Sequence, residues 1–217
     1  MKKTTLAILA SLSLGLSLPA AAQEYMFTYS KLYTQLKNNL KEGHEDVKVA
    51  VFFVDQANNT TCHIRKSWME KEEHYEDLEV SSGNELLIPI DKNLRSANPL
   101  IFVHTTEEEC AYSLVVMTKE PLQGEVQVSD IETLLPQMQT MLEDLSGMFS
   151  SWFTPDIEGV TLEFPNQLDS EISLSNGKTI AIEQGRARFT IAELDGASSF
   201  TLPEPTLRVL PYIPADK

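Results

Sequence analysis

The chain has 217 residues, with 32 Asp and Glu against 17 Lys and Arg and a formal charge of −15. That charge repels nucleic acid and anionic lipid surfaces, so a nucleic-acid-binding role is set aside and partners are expected to be cationic, neutral or apolar. An apolar share of 42% supplies a core and excludes a disordered chain.

The first element is a secretion signal. Met1-Lys2-Lys3 gives a positive start, Leu6 to Leu18 is uncharged and rich in Leu, Ala and Ser, and Pro19 precedes Ala20-Ala21-Ala22. This order predicts cleavage after Ala22 and a mature chain from Gln23. The apolar run is shorter than the roughly 20 residues a bilayer span needs. No later run is apolar enough to span either, and no Cys near the cleavage point could accept a lipid anchor. Export places the protein in the periplasm, and loss of Lys2 and Lys3 takes the charge from −15 to −17.

Within the mature part, 23–217, read as one domain, a β-rich block is expected over about 25–118. It opens with a strand from Tyr25 to Tyr29. A helix from Ser30 to about Glu42 follows, with Ser30 as its cap, Leu32, Leu36 and Leu40 repeating at i+4, and Gly43 at its end. Val47 to Val54 reads as a central strand because both its faces are apolar. Cys62 to Met69 is expected to pair with it. Strands are also expected at Leu86 to Ile90, Leu100 to His104 and Ala111 to Thr118, with Pro89 confining the first to a sheet edge. The carboxylate-rich Glu70 to Asp77 and Glu107 to Glu109 read as solvated connections.

Two cysteines, Cys62 and Cys110, are expected to form a disulfide, as in most exported chains with a single pair. It closes a loop that, on chain-entropy reasoning, is worth about 4 kcal/mol.

From Asp130 to Phe153 apolar side chains recur with a helical period, predicting one long amphipathic helix. Ser129 with Glu132 reads as a capping box, and Pro136 is expected to kink the helix or delay its regular start. The exposed part of its end, Met148, Phe149, Trp152 and Phe153, is the candidate partner contact. Between Glu120 and Gly177 there is no Lys or Arg, which suits a solvated face or a docking face for a basic partner.

A C-terminal meander is expected over about 157–214. Around Ser175-Asn176-Gly177, a three-residue turn with Gly177 in a bulge places Ile172 opposite Ile180 on one face, whereas a two-residue turn would not. An even loop at Gln184-Gly185 should then bring Ile182 and Ile180 opposite Ala187 and Phe189. Pro203, Pro205, Pro211 and Pro214 make the tail extended or turn-rich. The plan is α+β: antiparallel N- and C-terminal parts with the long helix between them.

No catalytic, cofactor or metal site is identifiable. Nucleophile-elbow, phosphate-loop, dinucleotide, zinc-protease and calcium-loop patterns are absent, and His44, His63, His74 and His104 show no ligand spacing. The expected role is a non-enzymatic periplasmic binding or interaction protein for an envelope protein or small ligand. The alternative is an envelope-polymer hydrolase using paired carboxylates.

Tyr25 to Ser30 (YMFTYS), Trp68 to Tyr75 (WMEKEEHY), Asn93 to Thr105 (NLRSANPLIFVHT), Leu134 to Asp144 (LLPQMQTMLED) and Arg208 to Pro214 (RVLPYIP) carry a resemblance. Together they are similar to a family of exported gammaproteobacterial proteins defined as a domain of unknown function. The resemblance spans the mature chain, implies a periplasmic or secreted single-domain protein, and transfers no functional residue.

Overall fold

The structure is a computed structural model and describes residues 23–146 and 155–214. It is α+β and mostly antiparallel. Strand β1 (Glu24–Thr28) runs into helix α1 (Tyr29–Leu36), which tightens into a 3-10 turn at Lys37–Leu40. β2 (Val47–Asp55), β3 (Ile64–Lys71), β4 (His74–Asp77), helix α2 (Lys92–Ala97), β5 (Leu100–Thr105) and β6 (Cys110–Thr118) follow. β7 (Glu125–Gln127) leads directly into helix α3 (Val128–Ser146). Beyond it lie β8 (Gly159–Glu163), β9 (Ser170–Leu174), β10 (Thr179–Ile182), β11 (Arg186–Thr190), β12 (Ser199–Thr201) and β13 (Arg208–Tyr212).

Four ladders result, ordered β1-β5-β3-β4, β10-β9-β12-β7, β11-β8-β13 and β2-β6. One continuous cluster of buried side chains joins them. Leu32, Val51, Phe53 and Val103 from the first part meet Ile131, Met138 and Met141 of α3 and Leu162, Phe189 and Val209 of the last part. The two β-rich parts therefore share their interior, and α3 packs on β2, β6 and β8.

β2 is apolar on both faces for a clear reason. Val47, Val49, Val51 and Phe53 enter that main cluster, whereas Ala50 and Phe52 join Met117 in a second, smaller one. Its hydrogen-bonded partner is β6, in register from Val47 opposite Thr118 to Asp55 opposite Cys110. β3 does not pair with it as expected; β3 lies between β5 and β4. The approach to β3 is hydrogen-bonded to β2, where Cys62 donates its amide to the Phe53 carbonyl at 2.8 Å. The acidic segment from Glu70 to Asp77 is correspondingly a β-hairpin rather than a plain connection.

Leu86 to Ile90 forms no strand. Its backbone partners are scattered: Leu86 donates to Val51 and Leu87 to Glu79, and the Pro89 carbonyl accepts the Tyr29 hydroxyl at 2.6 Å. Helix α1 starts at Tyr29, and Ser30 does not cap it. The Ser30 amide donates instead to the Asn98 side chain at 2.9 Å, one of the free amides of a first helical turn satisfied from across the fold. Leu40 is 64% exposed, because the tighter 3-10 turn carries it off the i+4 stripe.

Helix α3 begins at Val128, before the expected cap. Its first amide donates to the Ser198 carbonyl at 2.9 Å, so Ser129 lies inside the helix and no capping box forms. Pro136 sits within the helix without delaying its start. The helix is described as far as Ser146, and Met148, Phe149, Trp152 and Phe153 lie outside the described residues.

In the last part, Ile180 is opposite Ile172. Gly177 has φ +84° and donates its amide to the Leu174 carbonyl at 3.0 Å, the bulged three-residue turn. The next reversal is a two-residue loop closed by Glu183 and Arg186, but the meander ends there. β11 leaves β10 and pairs with β8. β8 is buried throughout its five residues and takes β11 on one edge and β13 on the other. A fully buried strand must have both edges satisfied, and this demand overrides simple hairpin succession.

Candidate binding groove

The divergence of β10 from β11 opens a groove of about 1250 Å³. Its floor is one row of the β11-β8-β13 ladder. Glu163 stands opposite Arg186 on one side and opposite Arg208 on the other. Glu163 Oε1 accepts from Arg186 Nε at 3.0 Å, and Oε2 lies 2.6 Å from Arg208 Nη2. The latter contact is an ion pair without hydrogen-bond alignment, so Glu163 Oε2 and Arg208 Nε are both buried without a hydrogen-bonding partner. Arg208 Nη2 also donates to Thr61 Oγ1 at 3.1 Å, and its guanidinium covers the Phe52 ring at 4.8 Å. Arg188 follows two residues after Arg186, which puts it on the same face of the strand. Among the described residues no carboxylate lies within ion-pair distance of it.

Three loops make the walls: Asn58 to Thr61, Phe164 to Asp169, and Glu183 to Gly185. They hold unusual backbone. Asn59, Asn166, Gln167, Gln184 and Gly185 all have positive φ. The Gly185 amide donates to the Leu168 carbonyl at 2.9 Å, and its carbonyl accepts the Phe164 amide at 2.7 Å. The Gln184 amide donates to Asp169 Oδ1 at 2.7 Å. Two walls are thereby stitched to each other through main-chain and Asx contacts.

The sequence pattern did not single out this groove, though two signals were present. Arg186 and Arg188 alternate with Ala187 and Phe189, which assigns both arginines to one face. Glu163 ends a strand, Gly159–Glu163, that is buried throughout.

Elsewhere, the expected disulfide joins Cys62 and Cys110, with Cα atoms 6.4 Å apart. Among the described residues, one grouping of metal-ligand type is Cys62, Glu107 and Cys110. Its two sulfurs are bonded to each other, so it offers no thiolate pair. The histidines are dispersed. His63 donates its amide to Glu107 at 2.8 Å, and His104 Nε2 meets Glu24 at 2.6 Å. His44 is fully buried, 3.6 Å from Asp144, and neither ring nitrogen is hydrogen-bonded.

The outer face of the β1-β5-β3-β4 sheet carries a second concentration of side chains. Phe102 and Trp68 stack at 5.1 Å, Tyr75 continues the row at 6.3 Å from Trp68, and Lys66 lies 4.9 Å over Trp68. Lys66 already occupies the cation-binding face of this row. Among the described residues no helix is long and apolar enough to cross a membrane.

No curated protein and no solved structure matches the chain. Residues 21–164 match the model of a family described as protein of unknown function (DUF2987), a span that includes Glu163 and stops short of the groove arginines. As that match takes in more than half of the 217 residues, the chain belongs to this family.

Proposed function

We propose that the chain is an exported, periplasmic, non-enzymatic binding protein and that a small polar ligand occupies the groove. The observation that carries this reading is the state of Glu163. It is the carboxylate among the described residues that is buried, and both its oxygens face guanidinium groups. A general acid or base needs an oxygen within reach of the substrate proton. A glycosidase needs a second carboxylate about 5–9.5 Å away across the cleft. Glu163 is held between arginines, and of the other two carboxylates in the lining, Asp169 and Glu183, Asp169 accepts the Gln184 amide; the arrangement fixes charges in place for recognition. Export is supported by Lys2-Lys3, the apolar run and Ala20 to Ala22, and by a disulfide suited to an oxidising compartment.

Native mass spectrometry of the protein purified from the periplasmic fraction tests all of this at once. The expected species is the 23–217 chain, two hydrogens lighter for the disulfide, with an added mass that leaves on denaturation. A bare polypeptide at every salt concentration, or an uncut chain in the cytoplasmic fraction, contradicts the reading.

A further inference from the structure

We infer that the groove takes an acidic saccharide, a hydroxyl-rich molecule bearing one carboxylate or phosphate. The inference rests on the groove being the ligand site. At the floor, three guanidinium groups, Arg186, Arg188 and Arg208, face one carboxylate, Glu163. This leaves two positive charges at the floor; Asp169 and Glu183 on the walls balance them over the groove as a whole, so the positive field is local to the floor. At the floor itself the imbalance is not used up internally. Arg188 is exposed and without an ion-pair partner among the described residues, and Arg186 keeps 42% of its side chain exposed beside Glu163. Guanidinium forks match the paired oxygens of carboxylate and phosphate, so the floor selects an oxyanion.

The walls argue for what the oxyanion is attached to. Asn58, Thr60, Asn166, Gln167 and Gln184 line them, and each carries a hydroxyl or amide that both donates and accepts. A sugar hydroxyl does the same. Asp169 and Glu183 are also in the lining and add acceptors there. They would repel a second anionic group, which limits the ligand to one. A volume of about 1250 Å³ is far more than a lone oxyanion fills.

The experiment is calorimetric titration of the disulfide-bonded mature protein with sialyllactose, lactose phosphate, lactose and inorganic phosphate, repeated on Arg188→Gln. Arg188 is exposed, so this variant keeps the fold, which circular dichroism checks. The acidic sugars should bind roughly tenfold or more tighter than lactose and than phosphate, and Arg188→Gln should erase most of that margin. Lactose binding as well as its acidic derivatives overturns the inference and leaves the groove as a ligand site. Phosphate binding as well as lactose phosphate also overturns it, reducing the floor to a bare oxyanion site. If none of the four binds, the inference falls; the proposed function then falls too only if native mass spectrometry retains no ligand.

Discussion

Phe164 and Gly185 are joined by a 2.7 Å hydrogen bond from the Phe164 amide to the Gly185 carbonyl, which ties the end of β8 to the turn between β10 and β11. Gly185 sits at φ +76°, and a Cβ there would come within 3.0 Å of the Phe164 carbonyl oxygen and 3.1 Å of Gln167 Cα. Left-handed backbone costs an L-residue about 1–2 kcal/mol before any crowding. Gly185→Ala should therefore lower stability by about 2 kcal/mol in urea unfolding and weaken ligand binding in the groove. A variant as stable as the parent would show that this stitch is slack.

Glu163 separates Arg186, whose side chain is 42% exposed, from Arg208, at 12%. Replacing it with Gln leaves the more buried guanidinium without its counter-charge. Breaking a buried pair from one side costs about 3–5 kcal/mol. Because Arg208 keeps some solvent and Thr61, Glu163→Gln should cost about 2–3 kcal/mol. Adding Arg208→Met should recover part of the loss, and a double-mutant cycle on chemical unfolding measures the coupling.

Pro136 is exposed and well inside α3, where it offers no amide to the carbonyl four residues before it. Proline in a helix interior is about 3 kcal/mol worse than alanine. Pro136→Ala should raise the melting temperature, with a gain of about 1–3 kcal/mol. A fall would mean that the proline's constraint on the helix is required by its packing on β2 and β8.

Reduction of the Cys62–Cys110 bridge, or the double Cys→Ser variant, should cost about 4 kcal/mol by releasing the loop in the unfolded chain. Cys62 directly follows Thr61 of the groove wall, so loss of the bridge should also weaken ligand affinity per folded molecule, which titration of the reduced protein measures.

Tyr29 is fully buried. Its hydroxyl donates to Pro89 at 2.6 Å and accepts the Asp91 amide at 2.9 Å. Burial pushes its phenol above the usual value near 10, the Asp91 amide opposing this more weakly. The fold prefers the protonated phenol, so its contribution is complete below about pH 10 and is lost as pH rises through the shifted value. Tyr25 and Tyr112 are raised for the same reason, first of all by burial. Tyr29→Phe should cost about 1–3 kcal/mol at neutral pH and make the loss of stability above pH 10 shallower. Unfolding curves from pH 8 to 11 give both quantities.

What the sequence makes legible here is whatever a local constraint decides. Ile172 opposite Ile180 follows from one-face burial combined with an Asn-Gly turn, and Cys62 had a single possible partner. β3 was misplaced because alternation defines a strand's faces without naming its neighbours. Its pairing with β5 depends on sheet assembly far along the chain. Ser30 and Ser129 were read as caps from local chemistry, and tertiary groups, Asn98 and the Ser198 carbonyl, took over the amides. The groove was hidden for the same reason. Glu163, Arg186 and Arg208 become neighbours only when β8 accepts a strand on each edge. The stretch from Glu120 to Gly177 without Lys or Arg is answered in the fold from outside itself: Asp144 by Lys41, and Glu163 by the two later arginines.

The order in which these residues emerge from the proposed N-terminal-first export gives the floor a temporal meaning. Glu163 comes first, Arg186 next, and Arg208 follows Glu163 by 45 positions. During that interval the carboxylate lacks its second counter-charge and β8 its second edge, so the strand gains little by leaving water. A chain halted before β13 would hold the cysteines and most of the walls, yet no finished floor. Occupancy of the groove would then report that the chain had been delivered through β13.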